Sequence, residues 1–293
     1  MTQHSVYTIT WKGFSANIRQ LGAELCSFRD PQGQEYIWQG DPTYWAGNAP
    51  LLFPITGRLK DGAYTHEGQR YDLPPHGFAK RKPFRVEHQD ARSISLLLEA
   101  DEETLAVYPF RFRLRCRYAL GDKGLTISRE VENLDATTLW FSMGEHPGFS
   151  TSPFGSSLED CELVFPKPQT ADNLLVNSQG LLSSWESYLH QQDRIPLNRQ
   201  VFQAKDSLLL EGLDAPWVAL RGKGRDRGLR VGIEGFPVLV LWTPARGGDL
   251  ICIEPWHGLP DPAEGTGELR DKPGIQRLAP GQAFSYQLKI ELE

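Results

Sequence analysis

The sequence predicts an all-β protein, a large antiparallel β-sandwich with few short helices. Three observations lead to this fold class. Apolar and polar residues alternate with a period of two, many short segments of this kind are separated by turn residues among the 28 glycines and 21 prolines, and strands do not alternate with helices. This pattern is typical of sandwiches rather than of parallel sheets covered by helices. Because composition shows no break, we expect one domain over residues 1–293.

The strongest local prediction is a β-hairpin in the middle of the chain. Phe110–Tyr118 alternates without a break between an apolar face and a row of arginines, and the turn Gly121–Gly124 leads into a second strand, Leu125–Glu132. Glu130 and Glu132 can neutralise the arginine row across the two strands. We therefore interpret these arginines as structural and not as a ligand site.

Weaker strand signals recur along the rest of the chain. They lie at Tyr7–Trp11, Ser93–Leu98, Leu139–Met143, Trp217–Leu220, Val231–Gly232, Val238–Thr243, Leu250–Glu254 and Phe284–Leu292. Helical periodicity is scarce, and the fair candidate for a helix is Leu182–Gln192.

Two stretches do not follow the strand pattern. Pro166–Arg199 is polar, and we interpret it as an excursion from the sandwich. Pro255–Gly274 is rich in Pro, Gly and Asp and is too long for a simple turn, which is typical of a functional loop. A glycine-threaded basic cluster, Arg221–Arg230, is interpreted as a solvated hairpin tip.

Composition restricts the possible partners. The net charge of −6 argues against nucleic acid, and no apolar run approaches the roughly 20 residues that cross a bilayer. The N-terminus lacks the basic and apolar regions of a secretory signal, so we expect a cytoplasmic protein with no membrane partner. The four cysteines form no CxxC motif and are expected to be reduced core residues.

Candidate chemical groups lie at the ends of strands, beside Gly and Pro. His76 lies in PPHGF, His146 in GEHPGF, Arg58 in FPITGR, and Glu254 ends an apolar strand before Pro and Trp256. A carboxylate that closes such a strand is costly to bury, so its pKa is expected to rise. Taken singly, each of these residues also fits an ordinary core or surface role. P-loop, GxGxxG, HExxH and GxSxG motifs are absent, so nucleotide cofactors and zinc-hydrolase chemistry have no support.

Four phrases, in this order, resemble the aldose 1-epimerase (galactose mutarotase-like) family. They are LFPITGRLKDG, PHGFAK, GEHPGF and IEPWHGLPD, and the resemblance extends over most of the chain. It is closest to the LacX-like bacterial branch. The resemblance implies a galactose mutarotase-like supersandwich with an open sugar-binding cleft, no cofactor and no metal.

The resemblance also implies roles for single residues. His146 resembles the general acid of the family and Glu254 its general base, while His76 and Arg58 resemble residues that orient the substrate. The nearest counterpart to an aspartate that contacts sugar hydroxyls is Asp206. Lys80 departs from the family pattern, in which we expect arginine after HGFA, and lysine cannot make a bidentate contact.

Aromatic residues beside these motifs could form an apolar surface on which a sugar stacks. The candidates are Trp256, Trp45, Phe78 and Phe149, and each could instead belong to the core. We expect the loop after Glu254 to form a wall of the cleft.

The implied reaction is interconversion of the α and β anomers of a free hexose such as glucose or galactose. Ring opening needs one proton removed from O1 and one donated to O5. We expect Glu254 to take the O1 proton and His146 to protonate O5, from opposite sides of the sugar ring. An imidazole with an unperturbed pKa of ~6.5 can supply and recover such a proton. Arg58 or a protonated histidine is expected to keep Glu254 ionised. The pH profile should be bell-shaped, with limbs that report this pair.

Three alternatives remain open. The basic cluster Lys80–Arg85 is compatible with a hexose 6-phosphate substrate, and the aromatic residues with a non-catalytic carbohydrate-binding protein. A glycoside hydrolase would need two carboxylates flanking the bond, whereas the sequence offers one strong acid and two motif-borne histidines. Both a monomer and a homodimer are compatible with the sequence.

Overall fold

The computed structural model describes residues 4–293, so the first three residues of the expected domain lie outside the described part. The predicted all-β class is confirmed. The first eleven strands are β1 (Val6–Trp11), β2 (Phe14–Arg19), β3 (Leu25–Arg29), β4 (Leu51–Leu52), β5 (Ala63–His66), β6 (Gln69–Asp72), β7 (Arg85–Gln89), β8 (Ser93–Glu99), β9 (Phe112–Leu120), β10 (Gly124–Asn133) and β11 (Leu139–Phe141).

The second half of the chain continues in the same way. Its strands are β12 (Met143–Glu145), β13 (Gly148–Ser150), β14 (Cys161–Val176), β15 (Leu182–Pro196), β16 (Ser207–Glu211), β17 (Trp217–Gly222), β18 (Gly228–Gly232), β19 (Val238–Trp242), β20 (Leu250–His257), β21 (Gln276–Leu278) and β22 (Ala283–Leu292). Within residues 4–293 there are two α-helices, α1 (Glu102–Val107) and α2 (Arg199–Lys205). An Asp101–Thr104 capping box starts α1, and the Asn198 side chain caps α2.

One large antiparallel sheet dominates the described residues. Thirteen of its strands follow the order β4-β12-β20-β19-β16-β14-β17-β18-β22-β10-β9-β8-β7, with β13 beside β20 and β15 beside β14. Strands β1–β3 form a separate three-stranded sheet whose buried residues join the main core. The strand β22 connects the two parts of the large sheet, since it pairs with β18 on one side and β10 on the other.

The large sheet folds over on itself and forms the predicted sandwich. Glu145 on β12 is hydrogen-bonded to Arg129 on β10 and to Tyr286 on β22, although these strands are far from β12 in the sheet order. His257 on β20 likewise packs against the rings of Phe284 and Tyr286. Contacts of this kind are possible only when the two parts of the sheet lie face to face.

The predicted central hairpin is confirmed, and so is its structural role. Strands β9 and β10 pair with Arg115 opposite Glu130 and Arg113 opposite Glu132. The Arg113 guanidinium lies 2.9 Å from the Glu132 carboxylate, and Arg115 forms ion pairs with Glu130 and Glu87. The two central arginines of the row are thus neutralised by carboxylates, while Arg111 and Arg117 at its ends are exposed.

The predicted helix at Leu182–Gln192 is wrong, because this stretch is part of strand β15. Leu182, Trp185 and Leu189 have helix-like spacing, but β15 pairs with β14 through a series of register shifts. Each bulge adds a residue to one strand and moves the alternation by one position, so the apolar residues no longer follow a period of two. The expected excursion Pro166–Arg199 is therefore mostly this long hairpin.

The loop predicted at Pro255–Gly274 begins later than expected. Strand β20 continues past Glu254 to His257 and is buried at every position. The following residues are irregular, with a short 3-10 turn at Leu269–Asp271, and Pro260 reaches the cleft described below. The expectation that this loop walls the cleft is thus supported at Pro260.

Two smaller predictions agree with the structure. Strands β17 and β18 form a hairpin whose turn carries Lys223, Arg225 and Arg227, as expected for the glycine-threaded basic cluster. All four cysteines are free thiols, as expected, and Cys116, Cys161 and Cys252 are buried. Cys26 is only partly buried, so the expected core position is wrong for this residue. Among the described residues, no helix has the length and apolar character that a membrane crossing requires. A cytoplasmic location and the oligomeric state remain predictions.

Candidate functional site

A cleft with a volume of about 400 Å³ collects the sequence-predicted residues. Its floor is formed by β16, β19 and β20, and its rim by the turns that follow β4, β12 and β14. The lining residues are Trp45, Pro50, Gly57, Arg58, His76, Lys80, His146, Val176, Gly180, Asp206, Ser207, Leu209, Val240, Trp242, Glu254, Trp256 and Pro260. All six residues predicted for the site therefore share one cavity.

Strand register brings His146 to Glu254. Gly144, just before His146, pairs with Trp256 on β20, and Gly148, just after it, pairs with Cys252. The His146–Pro147 bend therefore lies opposite Glu254, with His146 Nε2 3.4 Å from Glu254 Oε2. The Glu254 side chain is 1% exposed and that of His146 13% exposed.

This contact corrects the expectation that the two groups lie on opposite sides of a sugar ring. A gap of 3.4 Å leaves no space for a ring between the two side chains, so they form a single unit on one wall of the cleft. O1 and O5 of an aldopyranose are both bonded to C1. Adjacent acid and base groups can therefore reach both oxygens from the same side.

Burial favours the neutral form of each partner. It raises the pKa of Glu254 well above its usual value, as predicted, and the nearby Asp206 acts in the same direction, while the indole N–H of Trp256 lowers it. Burial also lowers the pKa of His146 to about 3, mainly by desolvation, so the expected value near 6.5 is wrong for this site. Arg58 is not among the groups that act on Glu254, in contrast to our expectation.

Aromatic rings hold the His146 imidazole in place. Trp45 is stacked on it, with centroids 5.2 Å apart and planes 22° from parallel, and Trp242 meets it edge-on. A Cβ at Gly148 would lie 2.6 Å from the Trp45 ring, so the close approach of this ring requires glycine there. The orientation of His146 is thus determined by packing on two sides.

The His76 ring meets the His146 imidazole edge-on, with centroids 5.6 Å apart. The backbone of His76 has a φ of +63°, and its Nδ1 accepts a hydrogen bond from the Gly57 N–H at 3.2 Å. Burial, the neighbouring His146 and nearby positive charges hold its pKa well below the usual value. Neutral His76 therefore carries its proton on Nε2 and can donate a hydrogen bond into the cleft.

Charged groups lie around the rim of the cleft. Arg58 is exposed and packs against Gly180 at the tip of the β14–β15 hairpin. Lys80 donates to the Pro75 carbonyl at 3.0 Å, and burial together with Arg81 and Arg58 lowers its pKa to about 8. Asp206, with a φ of +64°, follows α2 and brings a carboxylate to the same cavity.

The family profile described as Aldose 1-epimerase matches residues 5–274 of the chain. The chain belongs to the aldose 1-epimerase family. It is therefore an isomerase, and the class of its ligand is a small sugar.

Relatives of this epimerase agree with the resemblance found in the sequence. The plasmid-encoded protein LacX of Lactococcus lactis subsp. lactis is 31% identical over 276 residues, which cover 91% of this chain and 92% of LacX. A galactose mutarotase related enzyme from Lactobacillus acidophilus has a TM-score of 0.93 and 31% identity, covering 99% of this chain and 97% of that one. A galactose mutarotase-like protein from Lactobacillus casei has a TM-score of 0.91 and 28% identity, covering 99% and 100%. The predicted galactose mutarotase-like fold and the LacX-like branch are confirmed.

Not every residue named in the sequence reaches the epimerase cleft. Trp256 and Trp45 line it, whereas Phe78 and Phe149 are buried in the main core. Of the basic cluster Lys80–Arg85, only Lys80 lines the cleft. Lys82 instead forms ion pairs with Asp101 and Glu103, and Arg85 forms one with Glu99. His257 lies behind the cleft among the rings of three aromatic residues, Phe236, Phe284 and Tyr286.

Sequence reasoning missed Trp242 and Cys252 as neighbours of His146 and Glu254. Both can be found by extending the period of two, because Trp242 follows the cleft residue Val240 on β19, and Cys252 precedes Glu254 on β20. Ligand-type atoms of His146, Cys252 and Glu254 all lie within 4.8 Å of one another, so these three residues could hold a metal ion.

Proposed function

We propose that this epimerase interconverts the α and β anomers of a free hexose, with His146 and Glu254 moving the protons. The observation that carries the proposal is the 3.4 Å contact between these two buried groups in a cleft lined by tryptophans and polar side chains. Family membership favours catalysis over a binding-only role and over glycoside hydrolysis. We also propose that the chain forms one domain, since the core spans residues from β1 to β22.

The contact pair would supply the acid and the base together. Burial favours a state in which the pair holds one proton, on Glu254, beside a neutral imidazole. Transfer of that proton across the contact produces a carboxylate beside an imidazolium. Glu254 then takes the O1 proton while His146 protonates O5, which opens the ring.

Closure on the other face of C1 uses the same two groups in reversed roles. The aldehyde rotates about the C1–C2 bond, His146 takes the O5 proton, and Glu254 returns a proton to the new O1. The pair ends with the one proton with which it began, as a reversible isomerisation without a co-substrate requires. His76, Arg58 and Asp206 would orient the sugar, and Trp256 and Trp45 would pack against its apolar face.

Polarimetry on freshly dissolved α-glucose and α-galactose tests the proposal directly. We expect the purified protein to speed the approach to the equilibrium rotation of at least one of these sugars. The proposal would be rejected if the protein bound the sugar without any acceleration over buffer.

A phosphorylated hexose is a second candidate, favoured by Lys80 and Arg58 at the rim of the same cleft. We expect glucose to react at least as fast as glucose 6-phosphate, because the remaining cations of the basic cluster lie outside the cleft lining. A clear preference for glucose 6-phosphate that disappears in Lys80→Gln would instead assign the phosphorylated substrate. Lys82→Gln is the matched control, since Lys82 does not line the cleft.

The lowered pKa of His146 leads to a prediction about pH. Activity is lost in acid when the pair takes up a second proton, on His146. Because the pKa of His146 is about 3, this protonation occurs at a much lower pH than that of an ordinary histidine. The bell-shaped profile should therefore be broad, with a flat rate between pH 5 and 7 and a fall at alkaline pH when the pair loses its only proton. Initial rates minus the buffer rate at each pH measure this, and an acid limb centred near 6.5 would contradict it.

A further inference from the structure

Cys252 gives the catalytic wall a third ligand-type group that the proposed reaction does not use. It precedes Glu254 by two positions on β20, so both side chains emerge from the same face of the strand. The Cys252 thiol is fully buried beside His146 and Glu254. Within residues 4–293, His146, Cys252 and Glu254 form the one group of three metal-ligand residues with ligand atoms within 4.8 Å of one another.

A carboxylate oxygen of this group has free capacity. Glu254 Oε2 is buried without a hydrogen-bond partner, and the Glu254 side chain is 1% exposed. The imidazole nitrogen that lies beside it, at 3.4 Å, is His146 Nε2. Unpaired buried polar atoms are rare, and a metal ion is one of the groups that can satisfy them. The cleft provides the path of entry, because His146 and Glu254 both line it.

An imidazole nitrogen, a thiolate sulfur and a carboxylate oxygen are the ligand types that Zn²⁺ takes in proteins. Ligand atoms around tetrahedral Zn²⁺ lie roughly 3.5 Å apart, given bonds of about 2.0–2.3 Å. The separations in this group, at most 4.8 Å, need side-chain shifts of about 1 Å to reach that geometry. Three protein ligands would leave the fourth position of a tetrahedral ion for water.

We propose that Zn²⁺, and borderline cations like it, bind at His146, Cys252 and Glu254 and thereby inhibit the enzyme. Binding displaces the thiol proton of Cys252 and the proton that the pair holds on Glu254, both of which leave to solvent. The ion then occupies the lone pairs of the two groups that would move protons on the sugar. The ion is an inhibitor and not a cofactor. The inhibition rests on the proposed function, whereas the binding does not.

Cobalt absorption tests the binding without any sugar. Co²⁺ added to the protein should produce a near-ultraviolet band of thiolate-to-metal charge transfer, and excess Zn²⁺ should remove it. Cys252→Ser should lose the band, while Cys26→Ser, which changes the one partly exposed cysteine, should keep it. Absence of the band, or its survival in Cys252→Ser, would overturn the proposal.

Zn²⁺ affinity, measured by competition with a chromophoric chelator, provides a second readout. Changes outside the ligand shell already cost ~10–100-fold in metal affinity, so loss of a ligand in Cys252→Ser should weaken binding by at least that much. If Cys252→Ser does not fold, as judged by circular dichroism, Glu254→Gln replaces it in this assay. Equal affinity in the variant and the wild type would refute the site.

The rate measurement then tests inhibition. Zn²⁺ should slow mutarotation by the wild type, EDTA should restore the rate, and Cys252→Ser should need at least ~10-fold more Zn²⁺ for the same effect. A Zn²⁺-loaded protein with an unchanged rate would overturn the inhibitory half of the proposal. If the protein shows no mutarotation at all, the proposed function fails, and the cobalt band still decides whether the metal site exists.

Discussion

Replacing Glu254 with glutamine is expected to lower the rate of mutarotation by ~10²–10⁴-fold, which is the usual contribution of a general acid–base group. The amide keeps the shape of the side chain but can neither take the O1 proton nor pass a proton to His146, 3.4 Å away. Substrate binding should change much less than the rate constant, because the surrounding tryptophans and rim residues are retained. Initial rates from polarimetry over a range of sugar concentrations separate the two effects.

Glu211→Gln is a suitable control for this experiment. Glu211 is an exposed glutamate at the end of β16, in the same sheet as Glu254, and it does not line the cleft. It should retain the wild-type rate. If Glu254→Gln stays within tenfold of the wild type while His146→Ala does the same, the contact pair is not the proton-transfer unit.

The buried ion pair between Arg129 and Glu145 should have the largest effect on stability. The Arg129 guanidinium lies 2.8 Å from the Glu145 carboxylate, and both side chains are almost fully buried. Tyr118 and Tyr286 contribute hydroxyl groups to the same network. Arg129→Met leaves a buried carboxylate without its cation, and removing one partner of such a pair costs about 3–5 kcal/mol of unfolding free energy.

Urea denaturation followed by circular dichroism measures this cost. Arg85→Met is the matched control, because Arg85 is 61% exposed and its ion pair with Glu99 should contribute at most about 1 kcal/mol. The double variant Arg129→Met with Glu145→Leu should regain part of the loss, since apolar groups can replace a buried pair. Equal unfolding free energies for Arg129→Met and Arg85→Met would show that the pair is not a stabilising unit.

Regular alternation made much of the fold predictable. In β10, the side chains of Leu125, Ile127 and Val131 lie on the buried face of the strand. Glu130 and Glu132, which pair with the arginines of β9, lie on its other, partly exposed face. Arg129 is also on the buried face, so the alternation of β10 alone could have indicated a buried arginine that needs a partner. Its partner, Glu145, could not be identified, because contacts between the two faces of a sandwich leave no local pattern in the sequence.

The sequence predicted which residues form the site but not how they contact one another. His146 and Glu254 were found through their motifs, and both lie in the cleft. Their contact depends on the register of β12 and β13 against β20, which the sequence does not show. The pKa of about 3 for His146 follows from burial under Trp45 and Trp242, and burial at a strand end depends on packing by distant segments.

The position of β22 also has consequences for how the molecule reaches its native state. This strand is made after all the others in the large sheet, yet it lies between β18 and β10. During synthesis, the two parts of the sheet therefore each present an unpaired edge until residues 283–292 emerge, and such edges attract other chains. Protection of these two edges against aggregation therefore depends on the pairing of β22, which is late and long-range. Contacts between residues far apart in the sequence form slowly.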